Sequence, residues 1–103
     1  MAKIPQHLRQ TNEWYTPGWI IDLVRATFKN NVIDLDPASS HFANNTVRAN
    51  KFYTIHDDGH ELPWHGSVFC NPPYGRFFSA WVNKMIHENE RGNIEEGILL
   101  VNA

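Results

Sequence analysis

The chain has 103 residues and a mass of 11.9 kDa, with 42% hydrophobic, 13% aromatic and 19% charged residues, which fits one small domain with an apolar core and excludes a disordered tail. No apolar run approaches the ~18 residues of a membrane span, the start MAKIPQHLRQ lacks the apolar stretch of a signal peptide, and the single cysteine, Cys70, excludes an internal disulfide and any CxxC motif, so a cytoplasmic protein is expected. The net charge of −2 and pI near 6.3 give no support to a broad basic surface, and any nucleic-acid contact must come from a local site.

Residues 1–12 read as a polar arm and residues 13–103 as one α/β domain. Thr16 before Pro17 predicts a helix start, with the Thr hydroxyl capping free amides and proline at the first helical position. Ile20, Ile21, Val24 and Phe28 follow at helical spacing, and Asn30-Asn31 ends the helix. Val32 to Leu35 predicts a buried strand that runs into Asp36-Pro37-Ala38-Ser39-Ser40, a tight turn whose serines cap a helix from His41 to Asn50. Lys51 to Ile55 predicts a second strand, His56 to Gly59 a turn, and Glu61 to Gly66 a loop.

Ser67 to Cys70 predicts a third strand, stopped by Asn71-Pro72-Pro73-Tyr74-Gly75. Phe78, Trp81, Val82, Met85 and Ile86 are spaced i, i+3, i+4, i+7, i+8, so a helix follows, with Gly92 as its stop. Phe78 and Trp81 are assigned to its core face. Gly97 to Val101 predicts a final strand. Helices alternating with short, apolar, unalternated strands indicate a mostly parallel sheet with helices on both faces. A domain ending on its most hydrophobic strand leaves an open edge, which predicts a partner or self-association to cover it.

In such a sheet, ligands sit outside the carboxyl ends of the strands, where strand order reverses. Two segments combine a strand end with special residues, Asp34 to Ser40 and Cys70 to Gly75. If the first and third strands are neighbours, both segments meet at one crevice. Proline restrains the residue before it and carries no N–H, so Asn71-Pro72-Pro73-Tyr74 is a stiff corner that presents an amide oxygen, a backbone carbonyl and a ring. Two fixed acceptors beside a ring suit a planar heterocycle bearing an –NH₂ group. Acceptors out of the ring plane favour the pyramidal amine and stabilise the charge that grows on nitrogen as it attacks a methyl donor held in line. The same residues also suit a plain strand-ending turn.

Asp36 with the small-residue turn Pro37-Ala38-Ser39 suits a cationic group such as an amino-acid ammonium, or else a capped helix start. Asp57 or Asp58, after the second strand, suits ribose hydroxyls, or else a solvated turn. His56, His60 and His65 invite a metal reading, but Gly59 and Pro63 break any helical ligand pair, and no metal is expected. Ser39 or Ser40 beside His41 lacks a nucleophile-elbow sequence.

Glu13-Trp14-Tyr15-Thr16-Pro17, Ile33-Asp34-Leu35-Asp36-Pro37-Ala38-Ser39-Ser40 and Asn71-Pro72-Pro73-Tyr74-Gly75 occur in that order, with Asp57-Asp58-Gly59 and Trp64 between them. On these motifs the chain resembles the phage-type DNA adenine methyltransferases over about residues 12–103. The resemblance implies a Rossmann-like methyltransferase fold, S-adenosylmethionine as methyl donor, and transfer to the 6-amino group of adenine in DNA. It implies a phage- or prophage-encoded protein acting in a bacterial cytoplasm, on a base flipped out of the duplex.

By the same resemblance, Asn71, Pro72, Pro73 and Tyr74 hold the adenine. Tyr15, Thr16, Pro17, Asp36, Pro37, Ala38 and Ser39 bind the methionine part of the cofactor, and Asp57 or Asp58 its adenosine. Ala38, Ser39 and Ser40 stand where the wider superfamily has glycines. The family pattern also leads one to expect an edge hairpin beyond Gly97 to Val101, so the domain reads as C-terminally incomplete. Three alternatives stay open: transfer to another amino group (cytosine 4-amino or a glutamine amide), an inactive remnant that binds cofactor or nucleic acid, and a metal module on the His56 to His65 segment.

Overall fold

The computed structural model of the protein describes residues 15–101; the expected arm, residues 1–12, and Glu13-Trp14 lie outside the described residues. Helix α1, Gly18–Thr27, buries Ile21 and Val24, and Phe28 extends the stripe from the cap position. Its N-cap is Pro17, which makes no side-chain cap; the Pro17 carbonyl accepts from Ile20 N at 3.1 Å and Ile21 N at 3.3 Å. The expected Thr16 cap therefore does not form. Thr16 lies one residue too early, and its hydroxyl is bonded to the Asn71 amide instead.

Strands β1 (Leu35–Asp36), β2 (Lys51–Phe52), β3 (Gly66–Cys70) and β4 (Ile94–Leu99) form one sheet in the order β2-β1-β3-β4, and every pair is parallel. Two helices complete the alternation: α2, His41–Val47, between β1 and β2, and α3, Phe78–Glu90, between β3 and β4. Among the described residues this is an α/β architecture with a four-stranded all-parallel sheet and three helices, compatible with the Rossmann-like methyltransferase fold.

Several boundaries differ from expectation. The chain turns at Asn31, whose φ is +57°, and β1 begins only at Leu35, after Ile33 O has accepted from Asn50 N at 2.9 Å and Asp34 has donated to Ser67 O at 2.8 Å and accepted from Lys51 N at 3.0 Å. Helix α2 stops three residues early because the Asn44 side chain pairs with the Ala49 backbone, accepting at 2.9 Å and donating at 3.3 Å, while Arg48 turns left-handed. Short polar side chains compete in this way with helical hydrogen bonds. Strand β2 ends at Phe52 because Thr54 turns back onto the Asp57 carboxylate. Strand β4 begins three residues before Gly97, at Ile94. Its acidic residue Glu96 is register partner to Ser67 and accepts from that hydroxyl at 2.6 Å and from Lys29 N at 3.0 Å.

The sheet carries a core on each face. Ile21, Val24 and Phe28 of the α1 stripe, Val47 of α2 and Phe69 form one; Leu35, Trp64, Val68, Cys70 and Met85 of α3 form the other. Phe69 and its neighbours Val68 and Cys70 are at most 1% exposed, so β3 is buried on both faces of the sheet. Full burial of such a side chain contributes roughly 1.5–3 kcal/mol. From β1 the chain goes through α2 to β2 on one side, then crosses back to β3 on the other. Strand order thus reverses between β1 and β3, whose residues Leu35 and Val68 are paired in register. No helix among the described residues is long and apolar enough to cross a membrane.

Candidate functional site

A cavity of about 380 Å³ opens at the carboxyl ends of β1 and β3, within the size range of small-molecule sites. Its walls come from stretches far apart in sequence: Tyr15 and Thr16 ahead of α1, Asp36 to Ser40 after β1, Thr54, Ile55, Asp58 and Gly59 after β2, and Asn71 to Pro73 after β3. The pairing of β1 with β3 brings the two special segments together, as expected from a shared crevice. Pro37, Ala38, Ile55 and Phe69 make apolar walls.

The loop after β1 is built from local hydrogen bonds. Ser40 caps α2 by accepting from Ala43 N at 3.0 Å, and Ser39 N is tied to Tyr53 O at 2.8 Å. The two acids of the segment divide their work. The Asp34 carboxylate accepts from Ser67 N at 2.8 Å and fixes the entry to β3. Asp36, only 3% exposed, faces the cavity. Burial pushes its carboxyl up to about 7, against the opposing effect of hydrogen bonds from Ala38 N, at 3.2 Å, and Ser39. The neighbouring Cys70 thiol is pushed well up too, first by burial and then by the Asp36 charge.

The structure separates Asp57 from Asp58. Asp57 is held in its own turn, accepting from Thr54 N at 2.7 Å and the Thr54 hydroxyl at 3.1 Å, which lowers its pKa. Asp58, left-handed with φ +58°, lines the cavity, and Asp57 does not. Gly59 follows against the Pro37 carbonyl, where no side chain fits.

In the Asn71 to Tyr74 segment, Asn71 is half-buried, Pro72 buried and Pro73 exposed, and all three line the cavity. The Asn71 amide nitrogen donates to Thr16 Oγ1 at 3.1 Å. Tyr74 does not line the cavity. Its ring stacks on Phe78, with centroids 5.2 Å apart and planes 14° apart, and its hydroxyl donates to Leu100 O at 3.2 Å. Pro17 also lies off the cavity, with its carbonyl committed to the start of α1.

Trp81, assigned from sequence to the core, does both jobs. It packs on Trp64 at 6.2 Å and on His60 at 5.6 Å, and it also lines the cavity. Helical spacing reports which side of a helix is buried, not what lies beyond its edge. Ile55, 83% exposed at the mouth, carried no signal because it sat inside the stretch read as strand. Among the described residues, no group of three or more His, Cys, Asp and Glu side chains could hold a metal ion, and His60 is bonded to Glu61 and the Ala80 carbonyl.

A family model described as DNA N-6-adenine-methyltransferase (Dam) matches residues 2–103. No curated protein and no solved structure matches the chain.

Proposed function

This chain belongs to the DNA N-6-adenine-methyltransferase (Dam) family, and from that premise we propose that its cavity takes S-adenosylmethionine together with an adenine turned out of DNA, and methylates the 6-amino group. The observation that carries the reading is the meeting of the Asp36 to Ser39 loop and the Asn71 to Pro73 corner in one cavity at the switch point of the sheet.

The residues present fit the cofactor. The buried Asp36 carboxylate complements an ammonium, and its location in a poorly solvated pocket strengthens that attraction. Ala38 and Ser39 keep the wall low enough for close approach, Asp58 complements ribose hydroxyls, and Tyr15, Ile55 and Phe69 offer surface to the uncharged parts. S-adenosylmethionine supplies an electrophilic methyl on a sulfonium.

On the substrate side, the Asn71 amide oxygen and the Pro72 carbonyl accept the two N–H protons of the amine. They favour the pyramidal form and stabilise the positive charge on nitrogen until one proton leaves for solvent. Proline fixes φ, so these acceptors keep their direction as the charge develops. Tyr74, its ring stacked on Phe78 and its hydroxyl bonded to Leu100 O, stands at the end of the corner outside the cavity, so it would stack only on a base that reaches past the cavity wall. The duplex must release its base to this corner, because the amine is out of reach inside the stack.

The test is calorimetric titration of the protein with S-adenosylmethionine, run beside a methyl-transfer assay on unmethylated DNA and on DNA lacking adenine. Binding with adenine-dependent transfer is expected. Binding without transfer would leave a cofactor-binding protein, transfer to adenine-free DNA would redirect the chemistry to another amine, and a folded chain that does not bind would remove the cofactor.

A further inference from the structure

We propose that Thr16 is a positioning residue for Asn71, holding its amide nitrogen so that the amide oxygen is the end that meets the substrate; the inference rests on the amine-methylation reading above. The two residues are 55 apart in sequence, yet Asn71 Nδ2 donates to Thr16 Oγ1 at 3.1 Å, and both line the cavity. Thr16 thus reaches the amine-holding corner through Asn71.

The two ends of an amide are not equivalent. Its nitrogen only donates and its oxygen only accepts, while an exocyclic amine in the ring plane presents donors. An Asn71 side chain turned the wrong way would set –NH₂ against –NH₂, which is repulsive and loses the acceptor the reaction needs. A hydroxyl can bond either end of an amide; here it accepts, and the –NH₂ is the end it holds. The planar side chain then points its oxygen along the other branch. Thr16 is itself fixed, because the next residue, Pro17, starts α1 through its carbonyl bonds to Ile20 and Ile21. Threonine suits the position through its hydroxyl, so valine, of the same shape, removes the bond with little change in packing, and serine retains it.

The experiment compares wild type, Thr16→Val and Thr16→Ser in three measurements: kcat for methyl transfer to DNA, the dissociation constant for S-adenosylmethionine, and the ¹⁵N–¹H side-chain amide signals of Asn71. These signals are assigned by their disappearance in Asn71→Asp. Thr16→Val is expected to shift the Asn71 amide protons and speed their exchange without any cofactor present. It should also lower kcat about tenfold while leaving cofactor affinity within twofold, and Thr16→Ser should restore both. Wild-type kcat in Thr16→Val, or a loss confined to cofactor affinity, would overturn the positioning role while leaving the methylation reading intact. A wild-type protein that shows the Asn71–Thr16 amide signature yet transfers no methyl group would overturn the methylation reading, and the positioning role with it.

Discussion

Gly59 and Pro37 touch backbone to backbone: a Cβ at residue 59 would run into the Pro37 carbonyl oxygen and approach the Tyr53 Cβ to 3.2 Å. The contact presses the turn after β2 onto the loop after β1, and so delivers Asp58 to the cavity that Asp36 floors. Trp64 strengthens it from below by donating its indole N–H to the Gly59 carbonyl at 2.9 Å.

Gly59→Ala is therefore expected to push the two loops apart. Overpacking of this kind costs typically 1–3 kcal/mol, and the cavity should lose cofactor affinity along with stability. Chemical denaturation and a cofactor titration on the same variant check both effects. Wild-type values in each would mean that the loops yield without strain.

Asn71→Ala should abolish turnover more than binding. Removing one preorganised partner of a developing charge costs on the order of 10²–10³ in rate, so kcat should fall by that factor while the cofactor dissociation constant stays within a few-fold. Single-turnover methyl transfer measures it, and unchanged turnover would remove the amine-holding role.

Asp36 makes stability and binding respond to pH in opposite directions. Its carboxyl, raised from 3.8 to about 7, holds a proton more tightly in the folded than in the unfolded chain. The folded state therefore loses stability as pH rises between those values, at about 1.4 kcal/mol per pKa unit, and the penalty is constant above them. A cationic ligand prefers the ionised form, so cofactor affinity should rise with pH up to about 7 and then level off. Asp36→Asn should flatten both profiles, raise stability at neutral pH and weaken cofactor binding. Denaturation and titration at pH 5.5 to 8.5 on the two proteins test the signs.

Asp57 and Asp58, adjacent in sequence, should give opposite phenotypes. Asp58→Ala is expected to weaken cofactor binding severalfold with little change in stability. Asp57→Ala should leave binding alone and loosen the turn that Thr54 makes. The hydrogen bonds from Thr54 depress the Asp57 pKa, so their contribution is present above the unfolded pKa and is lost as pH falls through the lower folded value. The stability difference between wild type and Asp57→Ala should therefore close under acid conditions, as followed by thermal melts.

The sequence makes the parallel α/β order and the meeting of the two strand-end segments legible, because short apolar runs, capping serines and prolines are local signals. Ser40 caps where its position predicts, and Asn71, Pro72 and Asp36 reach the cavity. What could not be read is decided by partners distant in the chain. The Thr16 hydroxyl looks like a cap until Asn71 claims it. Helix α2 ends early because Asn44 prefers the Ala49 backbone, and β4 starts early because Glu96 finds Ser67 and Lys29 N. Trp81 and Tyr74 show the same limit in opposite senses: one reaches the cavity from a core stripe, the other packs against Phe78 away from it.

The two-residue strand β1 has a kinetic consequence. It pairs in parallel with β2 and β3, and each of those pairings closes a long stretch of chain; no hairpin in this sheet can form first and template the rest. Non-local pairing of this kind is slow, because loop-closure entropy is lost before any contact compensates it. The cavity exists only after both partners have found β1, so it is among the last things to form. A ligand seated there should leave the refolding rate almost untouched and act on the unfolding rate alone, holding the finished sheet closed.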